Sequence, residues 1–400
     1  MTSSDEHAMR QVEVNLDWTP EEDDFRAEVS EWLDQNVPKE PLPSGDTREG
    51  FAEHLKWERK LYEAGFAAVS WPKELGGREA TLWEWLIFEE EYYRHEAPQR
   101  VTQNGLFVLA PALFAFGTKE QQQQLLPRIA SGEDAWAQGW SEPGSGSDLA
   151  SLTSTARRDP DREGWLLTGH KTWSTRAAFC THMFGLFRTS AEEKKHRGLT
   201  YFLIDLDQPG VEIKGFDRLD GDEGFADVYL DEVYVPDDSI LGGVGEGWKV
   251  AMASAGSERG LTLRSPGRFK ATARALVDLY QQTTAAAIDQ PSRQEMASLR
   301  DAVVDCWIET EAYDLLTKDQ VSRILAGDEV GFESSITKIA WSELDIALHE
   351  TALALEGNSS LFFSDWTKGF MFSLGGKIYA GTNEVQKNII AERLLGLPKN

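Results

Sequence analysis

The chain has 400 residues, and 67 acidic residues against 40 Lys plus Arg give it a net charge of −27. Because so acidic a chain repels phosphate backbones and anionic lipids, we expect neither nucleic acid nor a membrane surface as its main partner. The length allows a large core and predicts roughly two or three domains. A local basic pocket for a phosphorylated ligand remains compatible with this charge.

The cysteines and histidines give no sign of a metal site. Cys180 and Cys306 lack metal-type spacing and are interpreted as inert core thiols in a reducing compartment. The 7 histidines likewise show no metal-type spacing. The sequence contains neither a charged-then-apolar leader nor a long uncharged apolar run. We therefore expect a soluble, cytoplasmic protein with no metal ion and no membrane segment.

The first third of the chain predicts an all-helical domain over residues 15–133, preceded by a polar tail over residues 1–14. Thr19 is a predicted N-cap, since a proline and acidic residues follow it in the first turn. Thr118 and Gln121 form a predicted capping box. The helix that they open is expected to end near residues 126–127, where a proline stands.

From Trp136 the apolar period changes to that of strands and predicts a β domain over residues 134–246. The predicted strands cover residues 136–140, 151–155, 165–168, 183–187, 200–206, 211–213 and 228–235. Helical spacing returns over residues 247–400, and long helices with short connections favour an antiparallel bundle. The predicted helices of this part cover residues 248–263, 267–284, 294–326, 330–356 and 384–395.

Two polar segments of the β domain contain candidate binding groups. Residues 140–148 read WSEPGSGSD, in which Gly144 and Gly146 permit backbone angles that other residues avoid. The serines supply hydroxyls, and free N–H groups in such a turn favour anions. Residues 169–175 are a second passage from turn to strand, with an aromatic ring and a hydroxyl. Each segment alone is equally compatible with an ordinary polar turn.

Together, in this order and spacing, the two segments resemble the flavin-binding strands of the acyl-CoA dehydrogenases. The resemblance spans nearly the whole chain, and its most specific pieces are residues 141–148, 171–175, 236–247 and 379–386. It implies an α+β fold with an N-terminal all-α domain, a central β-barrel-like domain and a C-terminal antiparallel helical bundle. It also implies FAD-dependent α,β-dehydrogenation of an acyl-CoA thioester to the trans-2-enoyl-CoA.

The resemblance also implies the roles of individual residues. Trp173 would flank the flavin ring, Thr175 would donate to its N5 atom, and Ser147 would bind the cofactor phosphate or the pantetheine of the substrate. Core packing is the alternative for Trp173. The aromatic residue and the Asn that the family has at Gln138 and Arg176 are absent. The implied cofactor-binding residues are Gln138, Trp140, Ser141, Ser147, Trp173, Thr175, Thr382 and Glu384.

The predicted catalytic base is Glu258. Many family members have a catalytic Glu directly before the Gly-Thr of the C-terminal motif, where this chain has Ala380. A minority have it before an Arg on the first bundle helix, where this chain has Glu258 and Arg259. The alternatives are a solvated helix carboxylate for Glu258 and a surface ion pair for Arg259. The implied substrate-binding residues are Ser147, Arg259, Ala380 and Gly381, Ala380 through its backbone N–H.

One family feature is missing. Family members carry Arg-x-x-Phe-Gly after the second bundle helix, which reaches the flavin pyrophosphate of a neighbouring subunit, whereas this chain has no Arg or Lys between Arg274 and Arg293. We therefore expect a homologous partner subunit and an α2β2 heterotetramer. The chain resembles the heteromeric family members, and this resemblance implies a bulky or branched acyl-CoA substrate, such as one with a steroid side chain, and electron-transfer flavoprotein as acceptor. The alternatives are a self-sufficient homotetramer acting on branched-chain acyl-CoA and a catalytically inactive scaffold subunit.

Overall fold

The computed structural model describes residues 17–259, 265–285, 293–328 and 331–399, the side chains of 255–259 and 293 excepted. The tail predicted at residues 1–14 lies outside the described residues. The first domain is helical, as predicted. Its α-helices are α1 (Pro20–Asn36), α2 (Arg48–Glu63), α3 (Leu82–Arg94), α4 (Ala110–Phe116) and α5 (Lys119–Ala130), and a π-helix (Asn104–Leu109) leads into α4.

Hydrogen-bonded caps fix where these helices begin. The Thr19 hydroxyl accepts from the Glu22 amide, and the Glu22 carboxylate accepts from the Thr19 amide, which confirms the predicted start. Thr118 and Gln121 form the same reciprocal pair, as predicted. The predicted end of α5 near residues 126–127 is wrong, because the helix continues through Pro127 to Ala130. Full burial of Leu126 and Ile129 stabilises this turn against the lost backbone hydrogen bond.

The start of the helical stretch Asn104–Phe116 was not predicted, although its end is confirmed at Gly117, which is a predicted helix stop. Its core is apolar on every side: Leu106, Leu109 and Leu113 are each at most 2% exposed. A run without a polar face has no helical period to detect, so the sequence pattern gives no signal here.

The middle domain is one sheet. Its strands are β1 (Trp136–Gly139), β2 (Thr155–Arg158), β3 (Gly164–Thr175), β4 (His182–Arg188), β5 (Leu199–Asp205), β6 (Val211–Phe216), β7 (Phe225–Pro236) and β8 (Ile240–Leu241). The strand order is β6-β7-β3-β2-β4-β5-β8, and β1 pairs in parallel with β4. The sheet curls around a core that includes Leu167, Phe202, Val228 and Val233. Its other apolar side packs against the first domain through Trp136, Phe184 and Tyr201.

Two strand predictions require correction. Residues 151–155 are not a strand, because β2 begins only at Thr155 and a 3-10 turn (Leu149–Ser151) precedes it. The amides of Thr153 and Ser154 donate to the Glu142 carboxylate, so they are not available to a neighbouring strand. Residues 169–175 are not a separate turn-to-strand passage either, since β3 runs through them and pairs with β7 across two register shifts.

The last domain is a packed set of helices. The helices are α6 (Gly247–Arg259), α7 (Pro266–Ala285), α8 (Arg293–Leu325), α9 (Ser334–Glu356), α10 (Asp365–Leu374) and α11 (Asn383–Ile389), and a short π-helix (Ile390–Leu394) follows. Helix α7 contacts α8 and α9 around Phe269, Tyr313 and Trp341. Helix α10, which no prediction anticipated, begins at a capping box formed by Ser364 and Thr367.

Candidate active site

A buried ion pair anchors the turn over residues 140–148. Lys171, fully buried in β3, donates to Glu142 Oε1 at 2.8 Å and to the Leu186 carbonyl at 2.8 Å. Glu142 also accepts from Thr153 N at 2.6 Å and from Ser154 N at 2.9 Å. This carboxylate therefore joins the turn, the start of β2 and the middle of β3. No sequence motif identified the role of Glu142, because its partner Lys171 lies 29 residues further along the chain.

Burial and mutual attraction set the charges of this pair. Burial alone would raise the pKa of Glu142, but the Lys171 ammonium, with hydrogen bonds from Lys171 and from residues 153–154, lowers it to about 2. Burial lowers the pKa of Lys171 to about 8, and Glu142 partly offsets that effect. Both groups are therefore charged at neutral pH, and removal of one leaves the other buried without its partner.

The outer side of the turn presents unpaired donors. In the described part of the chain, the backbone N–H groups of Gly144, Gly146 and Ser147 have no hydrogen-bond partner. Gly144 and Gly146 do not use the conformational freedom of glycine, since neither residue has a positive φ. A Cβ built on either glycine would meet no atom within 4 Å, and Ser147 is exposed. The turn is thus open on this side, where an anion can approach its N–H groups.

The two segments singled out from the sequence meet in the structure. The Thr172 amide of β3 donates to the Ser141 carbonyl at 2.9 Å. Gln138 lies half-buried on β1, immediately before this junction. Trp140 is 9% exposed, and its indole N–H has no hydrogen-bond partner among the described residues. A buried donor without a partner is costly, so this group suits a ligand acceptor.

Trp173 stands out from the end of β3. Its side chain is 61% exposed, so core packing does not explain this residue. The rings of Phe216 and Phe225 contact it edge-on, with centroids at 5.2 and 5.5 Å. The backbone of Trp173 is left-handed, with a φ of 58°. Thr175, half-buried, follows two residues later and pairs with Phe225 in β7.

The C-terminal motif forms a tight turn before α11. Ala380 and Gly381 have φ values of 55° and 82°, and the Gln386 side-chain amide donates to both of their carbonyls, at 3.1 and 3.3 Å. Thr382 is the N-cap of α11, since its hydroxyl accepts from Val385 N. The backbone N–H of Ala380 has no hydrogen-bond partner among the described residues. It is therefore available to a ligand oxygen.

Glu384 lies exposed in the first turn of α11. Its own backbone amide, the Thr382 hydroxyl and nearby lysines lower the pKa of this carboxyl. An exposed carboxylate with a lowered pKa is a weak base, so Glu384 does not have the properties that proton abstraction from carbon needs.

The side chains of Glu258 and Arg259 lie outside the described residues. The helix that bears them is well positioned, because α6 begins in close contact with β5: a Cβ on Gly247 would lie 2.6 Å from the Thr200 carbonyl carbon. Val250 and Ala251 of this helix are fully buried. The backbone of α6 therefore extends to Arg259 from a fixed start beside the sheet.

A cation-π contact and two ring-ring contacts connect the β domain to the C-terminal motif. The Arg218 guanidinium lies 5.4 Å from the centroid of Phe372 in α10. The Phe372 ring lies 6.2 Å from Tyr379, which stacks on Trp341 at 5.7 Å. Residue 379 directly precedes the Ala380 turn. The rings of Trp173, Phe216 and Phe225 form a cluster, here called the Trp173 ring cluster. The loop after β6 follows Phe216 of this cluster and contacts the helix that supports the Ala380 turn.

Other features of the described residues do not define competing sites. Two cavities of about 250 and 410 Å³ are lined by none of the predicted site residues. Within the described ranges, no group of three or more His, Cys, Asp or Glu could hold a metal ion. No helix in the same ranges has both the length and the apolar character to cross a membrane.

Comparison with models of known protein families identifies the family of this chain. Models of the acyl-CoA dehydrogenase N-terminal, middle and C-terminal domains match residues 19–133, 137–233 and 245–395. The chain therefore belongs to the acyl-CoA dehydrogenase family, whose members are FAD-dependent oxidoreductases.

Relatives and solved structures agree with this assignment. The chain is 36% identical over 399 residues to acyl-CoA dehydrogenase IpdE1 of Mycolicibacterium smegmatis, covering 94% of this chain and 98% of the relative. It is similar in fold to the Tcur3481-Tcur3483 steroid ACAD, with a TM-score of 0.84, 23% identity and coverage of 96% and 100%. The ChsE4-ChsE5 complex from Mycobacterium tuberculosis gives a TM-score of 0.81, 24% identity and the same coverage. At those identities the two structures support the fold alone.

Proposed function

We propose that this chain removes the α-proton and the β-hydride of a bulky or branched acyl-CoA, as one subunit of a heteromer with a homologous chain. The observation that carries the proposal is the junction of the turn at 140–148 with β3, where the Thr172 amide meets the Ser141 carbonyl. This junction brings unpaired donors and the exposed ring of Trp173 onto neighbouring segments. We further propose electron-transfer flavoprotein as the electron acceptor.

The residues present fit FAD. A flat ring needs apolar and aromatic surface, which the exposed Trp173 offers, and a buried donor, which the Trp140 indole offers. A phosphate needs N–H and hydroxyl donors, which Gly144, Gly146 and Ser147 offer. Bound FAD would supply the hydride acceptor that the protein's own side chains lack. Thr175 would orient the ring and stabilise the negative charge that reduction brings.

The remaining residues act on the thioester. The free N–H of Ala380, with Gly381, would polarise the thioester carbonyl and so acidify the α-carbon. Glu258 would take the α-proton onto its carboxylate, and Arg259 would lie near the CoA. Ser147 would bind one of two groups, either the cofactor phosphate or the pantetheine arm of the substrate.

The substrate assignment can be tested with purified holoprotein and a panel of acyl-CoA thioesters under anaerobic conditions. Bleaching of the flavin absorbance reports dehydrogenation directly, without an added acceptor. We expect bleaching with thioesters that carry a ring or branched acyl group and slow bleaching with straight chains. Faster bleaching with straight-chain thioesters would contradict the substrate assignment but leave the reaction class intact.

A further inference from the structure

Asp46 holds two arginines from two other parts of the chain. It lies in the loop before α2 and is 4% exposed. Its Oδ1 accepts from Arg176 Nε at 2.6 Å, and its Oδ2 accepts from Arg218 Nη1 at 2.7 Å. Arg176 directly follows Thr175 at the end of β3, and Arg218 lies in the loop after β6. One carboxylate from the helical domain thus binds both loops beside the Trp173 ring cluster.

The loop that bears Asp46 is itself firmly held. The two ring nitrogens of the buried His54 lie 2.7 Å from the Gln99 carbonyl and 3.0 Å from the Pro43 carbonyl. The Ser44 hydroxyl donates to Asp222 at 2.6 Å. The loop packs so closely on α2 that a Cβ on Gly50 would lie 1.9 Å from the Ser44 carbonyl oxygen. Asp46 is therefore a fixed support and not a side chain that follows its partners.

The segment that Asp46 supports is strained. Trp173 and Arg176 have φ values of 58° and 55°, and neither is a glycine. Left-handed backbone at such residues persists only where surrounding contacts determine it. The buried ion pair with Asp46 is one such contact, and the Arg176 amide, which donates to the Gly224 carbonyl at 3.0 Å, is another.

The Asp46 carboxylate also offsets the positive charges of Arg176 and Arg218. Burial raises the pKa of Asp46, but Arg176 and Arg218 outweigh burial, so its pKa lies below the usual value. Arg218 additionally pairs with Asp220 at 2.7 Å and Asp222 at 3.8 Å. Three carboxylates therefore face two guanidiniums, and removal of Asp46 would make the cluster one unit less negative. Arg176, which belongs to this cluster, directly follows Thr175 in the chain.

We propose that Asp46 is a positioning residue of the flavin site: through Arg176 it fixes the 173–176 segment, and it sets the charge next to the Thr175 hydroxyl. The proposal rests on the proposed function, because it requires that the flavin lies against Trp173 and Thr175. Through Arg218 and its contact with Phe372, the same carboxylate also reaches the helix beside the Ala380 turn.

The test compares the flavin midpoint potential of three variants in the holoprotein. Asp46→Asn should shift the potential to more positive values, because the loss of one negative charge from the cluster favours the negative charge of reduction. Arg176→Gln should shift it to more negative values, because it removes a positive charge. Asp46→Glu keeps the charge and should restore the potential. A purely structural role predicts no such opposed signs.

A second readout concerns geometry. Asp46→Asn should slow thioester-dependent bleaching by up to about 100-fold, the scale expected when a reacting group moves by about 1 Å, with a smaller change in the thioester concentration at half-saturation. Asp237→Asn is the matched control, since Asp237 pairs with Arg158 at the opposite end of β3. It removes the same charge and should leave both the potential and the rate unchanged.

The outcomes separate the two hypotheses. If the wild-type protein binds no flavin even with its partner, the proposed function fails. If flavin binds and Thr175→Ala perturbs its spectrum, but Asp46→Asn and Arg176→Gln leave the potential unchanged, the role of Asp46 is wrong. Should Asp46→Asn be recovered only as aggregate, Arg176→Gln alone decides: a shift to more negative potential supports the proposal, and no shift overturns it. Thermal unfolding of the flavin-free variants reports folding independently.

Discussion

At the scale of single residues, proton abstraction depends on one carboxylate among two candidates. Exposed Glu384 is held ionised by its position at a helix start. Glu258→Gln should therefore leave flavin bound and slow thioester-dependent bleaching by at least about 100-fold, because an amide cannot take the proton.

The matched control for that exchange is Glu246→Gln, at an exposed position just before the same helix. It should bleach at the wild-type rate. Ala380→Glu on the Glu258→Gln background should recover part of the activity, because Ala380 lies on the turn where other family members place the base. Bleaching of the Glu258→Gln variant at the wild-type rate would show that another group is the base.

Ser147 and Thr175 provide a second test at this scale. Ser147→Ala and Thr175→Ala should each weaken flavin retention by up to about tenfold, the value of one hydrogen bond, without changing the unfolding temperature. Equilibrium dialysis of the flavin measures the effect. Thr155→Ala, at an exposed position of β2, is the control. Unchanged retention and unchanged reduction kinetics in both variants would remove the flavin site from these strands.

Sequence motifs singled out the segments that form the candidate site but not the residues that support them. Short motifs identified the turn at 140–148 and the end of β3, because glycine, proline and serine have local conformational preferences. Glu142 and Asp46 went unrecognised because their partners are 29 and 130 residues away in the chain. A long-range ion pair leaves no local pattern. For Glu258 and Arg259, the side-chain positions stay predictions.

At the scale of elements, the buried pair of Lys171 and Glu142 joins the turn to β3. Lys171→Met should lower the free energy of unfolding by about 3–5 kcal/mol, because it leaves a buried carboxylate without its cation. Chemical denaturation measures this loss. The double variant with Glu142→Gln should lose less than the sum of the two single variants, since each already breaks the same pair.

The control for this pair lies close by. Lys195 and Asp148 form an ion pair at 3.2 Å whose side chains are 67% and 64% exposed. Lys195→Met should change the free energy of unfolding by less than about 1 kcal/mol, because water already solvates both groups. An equal loss in the two lysine variants would contradict the structural role of the buried pair.

The pH dependence of stability follows from the same pair. Because the pKa of Glu142 is lowered from 4.5 to about 2, its contribution to stability is complete above pH 4.5 and is lost as the pH falls toward 2. The wild type should therefore lose stability in this window more steeply than the Lys171→Met variant, whose carboxylate has lost the cation that lowers its pKa. Denaturation series between these pH values test the difference in slope.

The elements show why some structure could be predicted and some could not. Capping boxes at Thr19 and Thr118 depend on neighbouring residues, so the sequence located both helix starts. The prediction of a strand at 151–155 is wrong, because the amides of Thr153 and Ser154 donate to the Glu142 carboxylate and not to a neighbouring strand. Pro127 does not end its helix, because burial of the neighbouring Leu126 and Ile129 outweighs the tendency of proline to break helices. Local rules succeeded wherever the decisive partner lay within a few residues.

At the scale of the whole molecule, helix α8 exposes an apolar face among the described residues. Val304, Trp307 and Ile308 are between 39% and 58% exposed, and Leu315 continues the same face at 50%. Helical spacing aligns these side chains, and large exposed apolar residues in one row are typical of protein interfaces. The face is consistent with a subunit that associates with another chain.

We expect flavin binding to require a partner chain, because this chain lacks a cation for the pyrophosphate. A pyrophosphate carries two charges, and helix α7 has no basic residue beyond Arg274. Loss of charge-assisted hydrogen bonds costs about 1.5–3 kcal/mol each, so the chain alone should retain flavin poorly. Expressed alone, it should carry little flavin and show little activity. Coexpressed with a homologous chain that has Arg-x-x-Phe-Gly, it should form an α2β2 complex with one flavin per unlike pair.

A gain-of-function variant tests the same argument within this chain. Gln281→Arg, Thr284→Phe and Ala285→Gly together would place Arg-x-x-Phe-Gly at the end of α7, where Gln281 is exposed and tolerates a longer side chain. The triple variant expressed alone should retain more flavin than the wild type, because each chain can then supply a cation to its neighbour. Gln281→Glu with the other two exchanges is the control and should show no gain. A wild-type homotetramer with one tightly bound flavin per chain and full turnover would contradict the need for a partner.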